Sequence, residues 1–102
     1  MGEGDHIDGQ QLFEAIVLLA CSKGLAGATV LRGVEGFGAH SRIHKSAILE
    51  LSEDLPILVE IVDTSEKVEA LLPEIDSIIE KAKCGVMMTM EKVDVRKYLA
   101  GK

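Results

Sequence analysis

Three glycines at short intervals beside two arginines, Gly33, Gly36 and Gly38 with Arg32 and Arg42, are the first residues here with a chemistry to offer. Glycine permits positive φ, and successive backbone N–H groups can then converge on an anion such as phosphate. A glycine-rich strand exit, as any hinge needs, gives the same pattern, and the residues alone leave both readings open. His40 and His44 stand four apart. On a helix that spacing puts two imidazoles on one face, where a metal can bind; in an extended loop it leaves them solvated. His6 and Asp8 are further ligand types that folding could bring near. Cys21, among apolar neighbours, suits a small core residue. Cys84 follows Lys81 and Lys83, which would lower the pKa of a thiol at a helix end. No Ser/His/Asp or paired-carboxylate set is recognisable by spacing, so the expectation is a protein that is not an enzyme.

The chain that must position these groups has 102 residues, enough for one domain spanning 1–102. Its formal net charge of -6 is opposite to that of a nonspecific nucleic-acid binder. The longest wholly apolar run, Ala15 to Cys21, is far too short to span a bilayer. No charged-then-apolar signal segment opens the sequence, and the two cysteines form no close pair, which suggests a reduced, cytoplasmic protein. With no Trp and few aromatics, the core must be aliphatic.

Residues Met1 to Gly9 read as a polar, glycine-rich loop, with Asp8 and Gln11 at capping-box spacing. Leu12, Phe13, Ile16, Val17, Leu19 and Ala20 recur near the helical period, predicting a helix from Gly9 to Lys23 with Gly24 left-handed after it. Gly27 to Val34 predicts a strand, Ala39 to Ser46 a mobile loop, Ile48 to Leu51 a short strand, and Ile57 to Val62 a strong strand opened by Pro56. Asp63 and Glu66 repeat the capping-box spacing ahead of a helix from Ser65 to Lys81, with Pro73 kinking or breaking it near Leu72. A final strand is expected from Gly85 to Val95, where Met87, Met88 and Met90 serve as packing.

Gly24-Leu25-Ala26-Gly27-Ala28-Thr29-Val30, then Val34-Glu35-Gly36-Phe37-Gly38, resembles the pattern at the base of the long loop in PII signalling proteins. The stretch Gly27 to His44, with Ser52-Glu53-Asp54-Leu55-Pro56 and Glu60-Ile61-Val62-Asp63, is similar to a PII-like branch of unknown function. The resemblance covers nearly the whole chain. It implies a ferredoxin-like βαββαβ fold with both helices on one face of an antiparallel sheet. The segment Gly2-Glu3-Gly4-Asp5 directly follows Met1, where that family places it after a first strand, so that strand is expected to be missing, either because the start is truncated or because the last strand or a neighbouring chain fills its place. It also implies a homotrimer that binds a small anionic effector, an adenine nucleotide being the first candidate, between subunits, with Thr29, Gly36, Phe37 and Gly38 carried over as ligand-binding positions.

Two departures stand out. Ala39 follows Gly-Phe-Gly where PII proteins have Arg, and their phosphate loop shrinks to Lys83-Cys84-Gly85. The basic residues left to meet a phosphate near strand ends are Arg32, Arg42, Lys83 and Arg96. A membrane transporter or channel is the downstream partner the resemblance suggests, and no nucleic acid is expected. The rival expectation is a CutA-like protein binding metal through His40 and His44. A sheet covered on one face needs a partner for the other, and Val30, Val59, Ile61 and the methionine strand are the residues expected there. Ala39 to Ser46, with Ile43 as its one large apolar side chain, should show the lowest hydrogen-exchange protection of any internal segment; strong protection without ligand would mark a structural loop instead.

Overall fold

The computed structural model describes residues 1–36, 44–45 and 55–101. The expected strand Ile48 to Leu51 and all of the expected loop Ala39 to Ser46 except His44 and Lys45 lie outside them. The chain folds as a small α+β unit. It opens with a hairpin of β1 (His6–Ile7) and β2 (Gln10–Gln11), followed by helix α1 (Leu12–Ser22). Strands β3 (Gly27–Arg32), β4 (Glu35–Gly36), β5 (His44–Lys45) and β6 (Ile57–Val62) come next, then helix α2 (Ser65–Ala82).

The hairpin replaces the loop expected over Met1 to Gly9. Asp8 and Gly9 both have positive φ, 49° and 78°, the backbone of a two-residue turn whose twist matches that of the strands it joins. Asp8 is therefore a turn residue, and α1 starts at Leu12 after Gln11, which caps it without a side-chain hydrogen bond. Helix α1 ends as expected. Gly24 takes φ 74°, its N–H bonds Cys21 O at 3.1 Å, and the Leu25 N–H bonds Ala20 O at 3.1 Å. These two bonds satisfy carbonyls that a helix end leaves open.

Helix α2 runs through Pro73 without a break, so of the kink or break expected near Leu72 the break does not form. Pro73 is exposed, so the carbonyl one turn earlier that loses its donor can turn to water. The N-terminus is capped by Thr64 rather than Asp63: its hydroxyl accepts from the Lys67 N–H at 3.3 Å. Asp63 instead joins three elements. Its carboxylate accepts from the Thr64 N–H at 2.6 Å and from the Ala26 N–H at 2.7 Å, tying the end of β6 to the start of both α2 and β3.

Strands β3 and β6 form the central antiparallel ladder, from Gly27 opposite Val62 to Arg32 opposite Ile57. Period-two alternation sends Ala28, Val30, Ile57, Val59 and Ile61 to the face that packs on the helices. The core there is Leu12, Ile16 and Ala20 of α1 with Leu71 and Ile75 of α2. Thr29, Leu31, Leu58, Glu60 and Val62 line the opposite face and are exposed. The uncovered face is thus the reverse of the one expected from Val30, Val59 and Ile61. Beyond α2, residues 85–101 form no strand, which corrects the strand expected from Gly85. Backbone groups make a strand only where they meet a partner, and among the described residues this segment pairs with none. No helix is long and apolar enough to cross a membrane, among the described residues.

The amides of Thr64 and Ala26 hold the Asp63 carboxyl below its ordinary value of 3.8. A carboxyl lowered on folding contributes stability that is complete above the unfolded pKa and is lost as pH falls through the folded one. Urea midpoints measured from about pH 5 down to about pH 2.5 should therefore decline, and Asp63→Asn should be less stable at neutral pH while lacking that share of the decline.

Candidate functional site

Of the predicted basic and glycine-rich residues, Arg32, Gly33 and Gly36 lie at the end of the ladder where β3 leaves the sheet. Here the chain must pass Pro56. The Gly33 N–H bonds Pro56 O at 2.8 Å, which extends the β3–β6 pairing one residue beyond Arg32. A Cβ at Gly33 would lie 2.8 Å from Pro56 Cγ, and one at Gly36 3.2 Å from the same atom. Both glycines are thus accounted for by close approach to a proline ring. Neither appears among the described residues with a positive φ, so the anion-cradling backbone expected from them is not formed at Gly33 or Gly36.

The N-terminal segment straps this end. Gly2 bridges Pro56 in antiparallel fashion, with the Glu3 N–H bonding Leu55 O at 2.7 Å and the Ile57 N–H bonding Met1 O at 2.8 Å. The strap is tied to itself by the Gly2 N–H on Asp5 Oδ2 at 2.8 Å, and to α1 by the Leu12 N–H on Asp5 O at 2.8 Å. His6 Nδ1 hydrogen-bonds Gly4 O. The Glu3 carboxylate pairs with the Arg32 guanidinium, and Asp8 lies 3.8 Å from Lys81 at the end of α2. One strap therefore reaches both the exit of β3 and the end of α2.

Of the expected ligand-binding set, Thr29 is exposed on the open face of β3, whereas alternation assigns Arg32 to the helix side. The two are not brought together. Gly36 pairs with His44 in the β4–β5 ladder. Phe37, Gly38, His40 and Arg42 lie outside the described residues, and of His44 only the backbone is described. Two-residue pairing at His44–Lys45 corrects the loop reading at those positions. Lys83 takes the left-handed conformation that closes α2, φ 55°, its N–H on Ile79 O at 3.0 Å. It lines a shallow groove with Asp76, Ile79, Glu80 and Cys84, where two carboxylates outweigh one ammonium. Arg96 is exposed and 3.5 Å from Asp94. No group of three or more His, Cys, Asp or Glu is placed to hold a metal ion, among the described residues.

The cysteines exchange their expected characters. Cys21 is exposed, because the core stripe of α1 is Leu12, Ile16 and Ala20 and Cys21 falls beside it. Cys84 is partly buried against the core; burial first, and then the charge of Asp5, push its thiol up rather than down. Sequence reasoning missed Glu3, Pro56 and Asp63 as the residues that tie this unit together. It also missed Tyr98, whose hydroxyl donates to Ala26 O at 2.6 Å. The signal for Pro56 was present, since two glycines facing a proline across a ladder mark a tight crossing. No local pattern announces the Glu3–Arg32 pair.

Against known proteins, the model of the DUF190 family, described as "Uncharacterized ACR, COG1993", matches residues 1–95. A UPF0166 protein of Aquifex aeolicus (strain VF5) is 34% identical over 93 residues, which is 91% of this chain and 84% of that protein. The UPF0166 protein MJ1524 of Methanocaldococcus jannaschii is 32% identical over 78 residues, 76% of this chain and 71% of the relative.

Gly33→Ala should cost about 1–3 kcal/mol by overpacking against Pro56, lowering Tm by at least about 4 °C, and Pro56→Ala in the same chain should restore part of the loss. Additive losses in the double variant would show that the crossing is not the constraint. In thiol alkylation near neutral pH, Cys21 should react at least about tenfold faster than Cys84.

Proposed function

The chain belongs to the uncharacterised DUF190 family, and from that premise we propose that it is a PII-like regulatory protein of the cytoplasm. Its architecture is ferredoxin-like, with the outer edge of β6 as the place of the first strand. It assembles as a homotrimer through the open face of the β3–β6 ladder and binds a small anionic effector between subunits. An adenine nucleotide is the first candidate. The observation that carries this reading is the open face itself. Leu31, Leu58 and Val62 are 49%, 55% and 45% exposed beside Thr29, so an apolar surface surrounds the one described side chain that the resemblance places against a ligand. Burying such a surface contributes about 25 cal/mol per Å2, which favours assembly over exposure to water.

The effector sits where Thr29, Gly36, Phe37 and Gly38 meet a neighbouring subunit, with Arg32, Arg42, Lys83 and Arg96 as the basic groups that reach it. Signalling passes to a membrane transporter or channel through the segment from Gly36 to Ser46, and no catalysis is assigned. The metal reading through His40 and His44 falls on side chains outside the described residues.

Light scattering at micromolar concentration should give a trimer, and Leu58→Glu should give a folded monomer. Calorimetry of the trimer with ATP, ADP and AMP should show binding of at least one. A charge-assisted hydrogen bond is worth about 1.5–3 kcal/mol, so Arg42→Ala or Arg96→Ala should weaken that binding at least about tenfold where the side chain touches phosphate. A monodisperse monomer, or a trimer that binds none of the three, overturns the corresponding half of the proposal.

A further inference from the structure

At the exit of β3 three chain segments lie side by side. Leu55 to Ile57 run in the middle, with Arg32 and Gly33 along one edge and Met1 to Glu3 along the other. Arg32 stands opposite Ile57, and the Glu3 N–H bonds Leu55 O. Side chains that share a row across neighbouring strands, or stand two residues apart on one strand, point to the same face. Glu3, Leu55, Ile57 and Arg32 therefore share a face. The Glu3–Arg32 ion pair crosses over the middle segment, which carries the buried Leu55 and Ile57.

This pair differs from the other three ion pairs of the described residues. The Glu3 side chain is 23% exposed, against 46%, 80% and 83% for the carboxylates of Glu74, Asp8 and Asp94. Both backbone groups of Glu3 are bonded, its N–H to Leu55 O at 2.7 Å and its carbonyl accepting from Gln11 Nε2 at 3.2 Å. The fold thus holds the carboxylate at the guanidinium, and less side-chain freedom is lost in forming the pair than at an open surface. The Arg32 side chain stays 59% exposed. A guanidinium has five N–H donors, and one carboxylate uses at most two of them. One side of this guanidinium is filled by a fixed carboxylate, and the rest is open to an oxyanion arriving from water.

We propose that Arg32 is an oxyanion site with Glu3 as its internal occupant, a latch that a phosphate-bearing ligand opens by taking the place of the carboxylate. Opening removes the side-chain tie between the N-terminal strap and the exit of β3. Arg32 leads directly into Gly33 and on to β4, and Gly33 and Gly36 both approach the Pro56 ring that the strap flanks. Ligand binding is thereby linked to how firmly the strap and the segment after β3 are held together. The inference rests on the effector reading only in taking Arg32 as a group that reaches phosphate.

Inorganic phosphate is the probe, at constant ionic strength, with the NMR signals of the Arg32 guanidinium and the Glu3 carboxylate as the readout. Phosphate should move both signals with one midpoint. A latch closed about four-fifths of the time weakens apparent affinity about fivefold, so Glu3→Gln should lower the midpoint concentration by at least about that factor. Glu35→Gln removes the same charge from nearby β4, where Glu35 forms no ion pair among the described residues, and should change the midpoint less than about twofold. Unchanged backbone signals of the β3–β6 ladder check that both variants are folded. The proposal is overturned if phosphate moves Arg32 and leaves Glu3 in place, if Glu3→Gln shifts the midpoint no more than Glu35→Gln, or if Arg32 fails to respond in the Glu3→Gln variant. Calorimetry with ATP, ADP and AMP keeps the two readings apart. If none of the three binds while phosphate still displaces Glu3, the nucleotide is removed and the latch stands. If one binds with equal affinity in the wild type and in Glu3→Gln, the latch is removed and the effector reading stands.

Discussion

The β3–β6 ladder is the constraint on which the rest of this fold depends. It is the longest pairing in the described residues, and its register decides which side chains meet the helices. A shift of one residue would send Val59 and Ile61 to water and Leu58 and Val62 to the core. Both ends are held so that it does not slip. At one end the Asp63 carboxylate bonds the Ala26 amide, which leads into β3. At the other the Gly33 amide reaches Pro56 O, and the proline ring stands where any side chain on Gly33 would have to go. Polar and steric pins at opposite ends of six paired residues leave a single register.

That register also explains how the sequence was read well in some places and poorly in others. The two helices were legible because their apolar residues recur at three and four, and that period survives wherever the helices dock. The strands were legible as strands, but their facing was not. Val30, Val59 and Ile61 are as hydrophobic as Leu31, Leu58 and Val62, so composition cannot say which set is buried; only the ladder and the helices packed on it can. The first nine residues were misread for a different reason. Asp8-Gly9 is a strong hairpin-turn signal, but the flanking His6–Ile7 and Gln10–Gln11 are too short and too polar to show alternation. The final segment failed in the opposite sense. Its residues suit a strand, and a strand also needs a neighbour, which no local pattern can supply.

The site was legible as a cluster and illegible as a geometry. Arg32, Gly33 and Gly36 do stand where β3 exits, yet Gly33 and Gly36 serve the passage of the chain past Pro56 before they serve any ligand. Arg32 keeps its place at the sheet end through Glu3, thirty positions away in sequence in round terms, and such a long-range pair leaves no spacing to recognise. Thr29 and Arg32 were both placed on the strand expected over Gly27 to Val34. Three positions apart on a strand, they fall on opposite faces.

Charge then limits where an anion can bind. The chain carries a net -6, and the ion pairs of the described residues each set a carboxylate against a cation: Glu3 on Arg32, Asp8 on Lys81, Glu74 on Lys23 and Asp94 on Arg96. An effector phosphate that approaches Arg32 or Arg96 on a single chain meets a carboxylate already there, and like charges in contact oppose binding. Two routes relieve this. Either the ligand displaces the carboxylate, which is cheap where the pair is exposed and worth little to stability, or a neighbouring subunit supplies cations that its own carboxylates do not hold. The open face beside Thr29 is where a neighbour would come. The proposed anion site between copies must therefore rest on a local basic cluster, because every copy carries the same net -6.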